Sequence, residues 1–206
     1  MNQVTTQNKV LSGFESPVFD SQATFRALLR ANSYPGQIEK ISVGLNPPEG
    51  MDTAAAAICL TLLDFEVNVW LDSGFDSEEI SSYLGFHCGC TVTPVAEKAD
   101  FVLISDLENL PELSMFKIGT SELPDRSATM IIQVPEISGD AGGMELTGPG
   151  IETTKSLKIP GIPEAFWQER RDMAEMFPQG IDLIFTANDK VCALPRSTMF
   201  GGQPCM

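Results

Sequence analysis

A single histidine, His87, stands in 206 residues, and that scarcity removes more chemistry than any other count. Sites that need two imidazoles, HExxH zinc proteases and His₃ zinc centres among them, are excluded. Positive charge is scarce as well: 13 Lys and Arg face 28 Asp and Glu, a formal charge of −15 with a pI near 4.3. Such a chain has no general attraction for phosphate backbones or for anionic lipid, so neither nucleic acid nor a membrane is expected as a partner. The longest apolar run, around Ala54 to Leu63, falls far short of the roughly 20 residues of a membrane span. The polar start MNQVTTQNKVLSGF has no apolar core of a secretory signal, which points to the cytoplasm. Cysteines are few and odd in number, five in all (Cys59, Cys88, Cys90, Cys192, Cys205). Cys59 and Cys192 sit in apolar runs, where thiols act as small hydrophobes, so the expectation is a reduced protein without a disulfide scaffold.

What is present reads as an ordinary globular chain. Apolar residues make up 43 %, and 17 Gly with 14 Pro supply turns without low complexity. Asp20 or Ser21 is expected to cap a helix carrying Phe25, Leu28 and Leu29, stopped at Tyr34-Pro35-Gly36. Alternation over Ile38 to Val43 predicts a half-buried strand. Asp52 or Thr53 caps a second helix, Ala54 to Leu63, apolar nearly all round and therefore buried. Val67 to Leu71, Phe101 to Ile104, Thr129 to Val134 and Met144 to Leu146 read as strands, and Asp76 with Glu79 opens a helix toward Tyr83. Pro163 starts a helix with Phe166, Arg170, Met173, Ala174 and Phe177 on one face, ended by Pro178-Gln179-Gly180. Ile181 to Phe185 and Val191 to Leu194 form a hairpin around Asn188-Asp189. Alternating strands and helices without a linker predict one α/β domain, a mixed sheet flanked by helices, over residues 14–198, with tails at 1–13 and 199–206.

Three constellations invite a chemical reading. His87-Cys88-Gly89-Cys90 holds soft ligands, yet its cysteine spacing is too short for the usual zinc pair and no second pair follows. The reading taken is a loop after a helix, with an exposed His and two incidental thiols; the alternative is a small metal-binding regulator using His87, Cys88 and Cys90. Gly142-Gly143 through Gly150 lacks the order of a phosphate-binding loop and is read as a turn, although Thr153, Thr154, Lys155 and Lys158 follow it. Arg26 with Arg30, Arg170 with Arg171, and Arg196 are the notable cations; Arg196 is kept as a contact for an anion or a partner.

The stretch Phe25-Arg26-x-Leu28-Leu29-Arg30-Ala31-x-Ser33-x-Pro35-Gly36 resembles the opening motif of the PhnH family, the H component of the carbon–phosphorus lyase core complex in phosphonate metabolism. Further stretches follow in the same order: Val69-Trp70-Leu71, Phe86-His87, Leu146-Thr147-Gly148-Pro149-Gly150-Ile151, Phe177 to Ile184, and Leu194-Pro195-Arg196-Ser197-Thr198. Cys88 stands where the family has a small hydroxyl residue. The resemblance singles out Phe25, Arg26, Leu29, Pro35, Gly36, His87, Gly148, Gly150, Gly180, Asp182, Pro195 and Arg196. It implies a fold related to the large domain of pyridoxal-phosphate transferases, without the lysine or site for that cofactor. It also implies a homodimer that joins the G, I and J subunits, with no catalytic residue, cofactor or metal of its own. Such a subunit is needed to make ribose 1-phosphonate 5-triphosphate from ATP and an alkylphosphonate. A standalone pyridoxal-phosphate enzyme is the rival reading; it requires an aldimine-forming lysine, for which Lys155 or Lys158 is the least unsuitable. The N-terminal helix face bearing Phe25 and Leu29 is the expected two-fold contact.

Overall fold

The computed structural model describes residues 11–140 and 142–201. Helix α1, Pro17–Ser33, starts ahead of the expected Asp20. Pro17 fills the first turn, where its missing N–H is no loss, and the Asp20 carboxylate reaches back to accept the Ser16 N–H at 2.8 Å. The helix stops at Tyr34 as expected. Strand β1 keeps only Glu39–Lys40 of the predicted run. Helix α2, Thr53–Leu62, is capped by Asp52, whose Oδ1 accepts the Ala55 N–H at 2.6 Å. Strand β2 is Asn68–Leu71. Helix α3, Glu78–Cys88, is opened by Ser77 rather than Asp76, and Gly89 closes it in the left-handed conformation. His87 and Cys88 therefore belong to the last helical turn, a correction to the expected loop.

Strands β3, Thr91–Val92, β4, Phe101–Ile104, β5, Thr129–Gln133, β6, Met144–Thr147, and β7, Lys155–Leu157, precede helix α4, Glu164–Ala174. The hairpin β8, Asp182–Ala187, with β9, Lys190–Leu194, and the short β10, Met199–Phe200, complete the chain. The main sheet has seven strands in the order β1-β9-β8-β5-β4-β2-β3. β3, β2, β4, β5 and β8 run parallel, and β9 pairs antiparallel with both β8 and β1. A second sheet, β10-β6-β7, surrounds the one strand of it that the sequence predicts, β6, and recruits Met199–Phe200 from the stretch expected as a tail.

The fold is α/β, one domain with a mixed sheet flanked by helices. Side chains alternate across the sheet and divide the core in two. Ile131 and Ile184 point into a cluster with α1, α2 and α3, while Met130, Ile132, Leu183 and Phe185 point into one with α4 and the small sheet. Buried Ala54 to Ala57 keep α2 slim enough to lie between its helical neighbours and the sheet. On the opposite face Phe166, Arg170 and Met173 of α4 are buried, as predicted, and Trp167 joins them without having been expected there; Phe177, assigned to the same face, is instead 61 % exposed. Among the described residues, no helix is long and apolar enough to cross a membrane.

Candidate functional site

In open α/β sheets ligands sit beyond the carboxyl ends of parallel strands, where the strand order reverses. Here the reversal falls between β2 and β4, and the chain fills it with its own anion. Asp72, buried just after β2, accepts the N–H groups of Gly74 and Phe75 on Oδ1 at 3.1 and 3.0 Å. Its Oδ2 takes those of Ser105 and Asp106 at 2.8 and 2.6 Å. Four backbone donors that could hold a phosphate are thus occupied.

Beside this plug, a cleft of about 290 Å³ is lined by Asp52, Ser105, Leu107, Gln133, Val134, Pro135 and Asn188. Gln133 ties its wall, accepting the Asp52 N–H at 2.7 Å and donating to the Gly50 carbonyl at 2.9 Å. Asn188 holds the hairpin turn at φ 57°. Burial pushes the Asp52 carboxyl up to about 6, against the opposing N–H of Ala55. Among the described residues no lysine lines this cleft, so they offer no amine to an aldehyde cofactor there. Lys155 lines a separate polar cleft with Thr153 and Thr154 and is exposed on the outer strand of the small sheet; Lys158 is exposed beside it.

The glycine and proline motifs meet at the junction of α1, the small sheet and the hairpin. Gly150 has φ 84°, and a Cβ there would lie 2.2 Å from the Ser33 carbonyl and 2.9 Å from Pro35 Cδ. A Cβ on Gly36 would meet Leu146 at 2.8 Å and Lys155 at 2.9 Å. Gly148 abuts the Ser197 carbonyl and Gly180 abuts Arg196. Arg196 is not a free anion contact. Its backbone N–H and Nε donate to Asp182 Oδ1 at 2.7 and 3.1 Å, Nη2 pairs with Oδ2, and Nη1 reaches the Pro124 carbonyl. Just inside, buried Arg170 donates to the Pro195 carbonyl at 3.0 Å and lies over the Phe200 ring.

A family model described as bacterial phosphonate metabolism protein (PhnH) matches residues 12–200. The chain belongs to the PhnH family. It is 34 % identical over 201 residues to the alpha-D-ribose 1-methylphosphonate 5-triphosphate synthase subunit PhnH of Rhizobium meliloti (strain 1021), covering 95 % of this chain and 98 % of the relative. It is 30 % identical over 177 residues to HtxG of Stutzerimonas stutzeri, which carries the name of a putative C-P lyase subunit protein, covering 86 % and 84 %.

The PhnH motif residues fall into two groups. Pro35, Gly36, Gly148, Gly150, Gly180, Asp182, Pro195 and Arg196 build the packed junction. Phe25 and Leu29 are 51 % and 55 % exposed, with Arg26 exposed between them; the core does not use them. His87 stands apart from both groups. Its Nε2 lies 2.8 Å from the Leu11 carbonyl, and its ring meets Tyr83 and Phe86 edge-on. Cys90 is buried, Cys88 half-buried with its thiol on the Cys59 carbonyl at 3.6 Å, and burial raises the Cys59 thiol. Among the described residues no three His, Cys, Asp or Glu side chains are placed to hold a metal ion.

Proposed function

We propose that this chain is a non-catalytic, obligate subunit of the carbon–phosphorus lyase core complex, working with the G, I and J subunits to turn an alkylphosphonate and ATP into ribose 1-phosphonate 5-triphosphate. The observation that carries the reading is the near-complete coverage of both chains at 34 % identity to a synthase subunit. The geometry is compatible with it: the sheet's usual ligand crevice is filled by Asp72, and the motif glycines serve packing. The relation of the fold to pyridoxal-phosphate transferases is inherited from the family resemblance alone. The reading places the protein in the cytoplasm.

A homodimer belongs to the same proposal. Val18, Phe25 and Leu29 lie along one face of α1 and are 77 %, 51 % and 55 % exposed, an apolar stripe that folding of the protomer leaves uncovered. A two-fold contact through this face would bury it isologously. Deleting the gene tests the functional reading: growth on methylphosphonate as sole phosphorus source should cease and return with the wild-type copy. Unimpaired growth would remove the proposal.

A further inference from the structure

Between α4 and the Leu113–Ile118 segment lies a groove of about 400 Å³, on the sheet face opposite α1. Phe116, Ile118, Met173 and Met176 give it an apolar floor, and Glu169 and Asp172 stand at its rim. Met115 and Met176 are each 43 % exposed, and Phe177 follows directly. Methionine and aromatic side chains of this kind adapt to a bound surface and are enriched in the cores of interfaces.

The rim carries charge without a counter-charge. Glu169 Oε1 accepts only the Ser114 N–H, at 3.0 Å, and Asp172 Oδ1 only the Gln168 amide, at 2.8 Å. Neither forms an ion pair among the described residues. The arginines of α4 are engaged elsewhere: Arg170 is buried and Arg171 pairs with Glu164. Exposed Glu112 and Glu175 extend the acidic border. An apolar floor ringed by carboxylates selects a large apolar side chain flanked by cations.

A second copy of this chain is poorly suited to supply that, because its exposed Phe25 beside Arg26 on α1 belongs to the proposed two-fold contact. The copy also has only 13 Lys and Arg against 28 acids, and among the described residues five cations are already in ion pairs. We propose that the α4 groove docks another subunit of the core complex, through a segment that presents an apolar anchor with Lys or Arg on either side. The inference rests on the functional reading above and deepens it: the homodimer uses the α1 face and leaves the α4 face to a different chain.

The test co-expresses the G, I and J subunits with full-length wild type, Asp172→Lys or Met176→Asp, and measures the chain's affinity for the assembled partners at low and high salt. Both side chains are exposed, so circular dichroism and self-association of the isolated variants should match wild type. Each variant is expected to bind at least about tenfold more weakly. Wild-type binding should weaken with salt, and Asp172→Lys should flatten that dependence. In the wild-type assembly, amide exchange over residues 112–118 and 172–177 should slow. Variants that assemble like wild type, or unchanged exchange there while the wild type assembles, would overturn the groove inference alone. A changed oligomeric state of the isolated variants would assign the groove to a second copy and overturn it too. A wild-type chain that joins none of the three subunits would remove the functional reading, and the inference with it.

Discussion

Asp52 joins helix capping and burial in one carboxyl group. Its Oδ1 caps α2, while Oδ2 is buried without a hydrogen-bond partner among the described residues. Burial raises its pKa from 3.8 to about 6. Below about pH 4 the group is neutral folded and unfolded, and burying it costs little. As pH rises through 6, the folded state must ionise a desolvated group, and that stability is lost. Asp52→Asn keeps a capping side chain and removes the titration. Its stability relative to wild type should improve by about 2 kcal/mol between pH 4 and pH 7.5, measured by urea unfolding at each pH. An equal difference at both pH values would show that Asp52 titrates as an ordinary surface acid. Arg196 makes a related point about register. Its partner Asp182 is within reach of the sequence, because the two-residue turn that pairs Ala187 with Lys190 also sets Asp182 beside Pro195. A hairpin drawn with its register places the pair.

The legible elements are those with strong local signals. α2 combines a capping Asp with a continuous apolar run, and β4 is four apolar residues between polar ends; both lie close to their predicted bounds. Of the small sheet only β6 is legible, predicted over Met144 to Leu146 and found as Met144–Thr147. β7 and β10 hold three and two residues, too few for a periodic pattern, and they exist because β6 offers edges for pairing. Phe177 misleads because it keeps the spacing of α4 after the helix has ended at Ala174. On α1, Phe25 and Leu29 carry the expectation of a contact face, and both are exposed. Because Phe25 is half-exposed in the protomer, Phe25→Asp should fold normally yet weaken the proposed homodimer at least about tenfold by placing an unpaired charge in the contact. Sedimentation and circular dichroism read together decide this. A folded variant that remains dimeric at low micromolar concentration would move the two-fold contact elsewhere.

For the whole molecule, two exposed faces differ in charge and in shape. α1 presents apolar residues beside Arg26, whereas α4 presents a groove bounded by carboxylates. The rigid junction of Pro35, Gly150, Asp182 and Arg196 fixes the hairpin and the small sheet against α1. With a net charge of −15, this chain's field slows the approach of anionic phosphonates and ATP, and the proposed chemistry on them would gain from a neighbour that focuses them. The proposed function makes this chain one part of a larger assembly. The most direct measurement is the native mass and composition of the assembly recovered with a tagged copy from phosphate-starved cells. A stoichiometric complex containing the G, I and J subunits and two copies of this chain is expected. Recovery of the chain alone, with those subunits expressed and intact in the same cells, would contradict it.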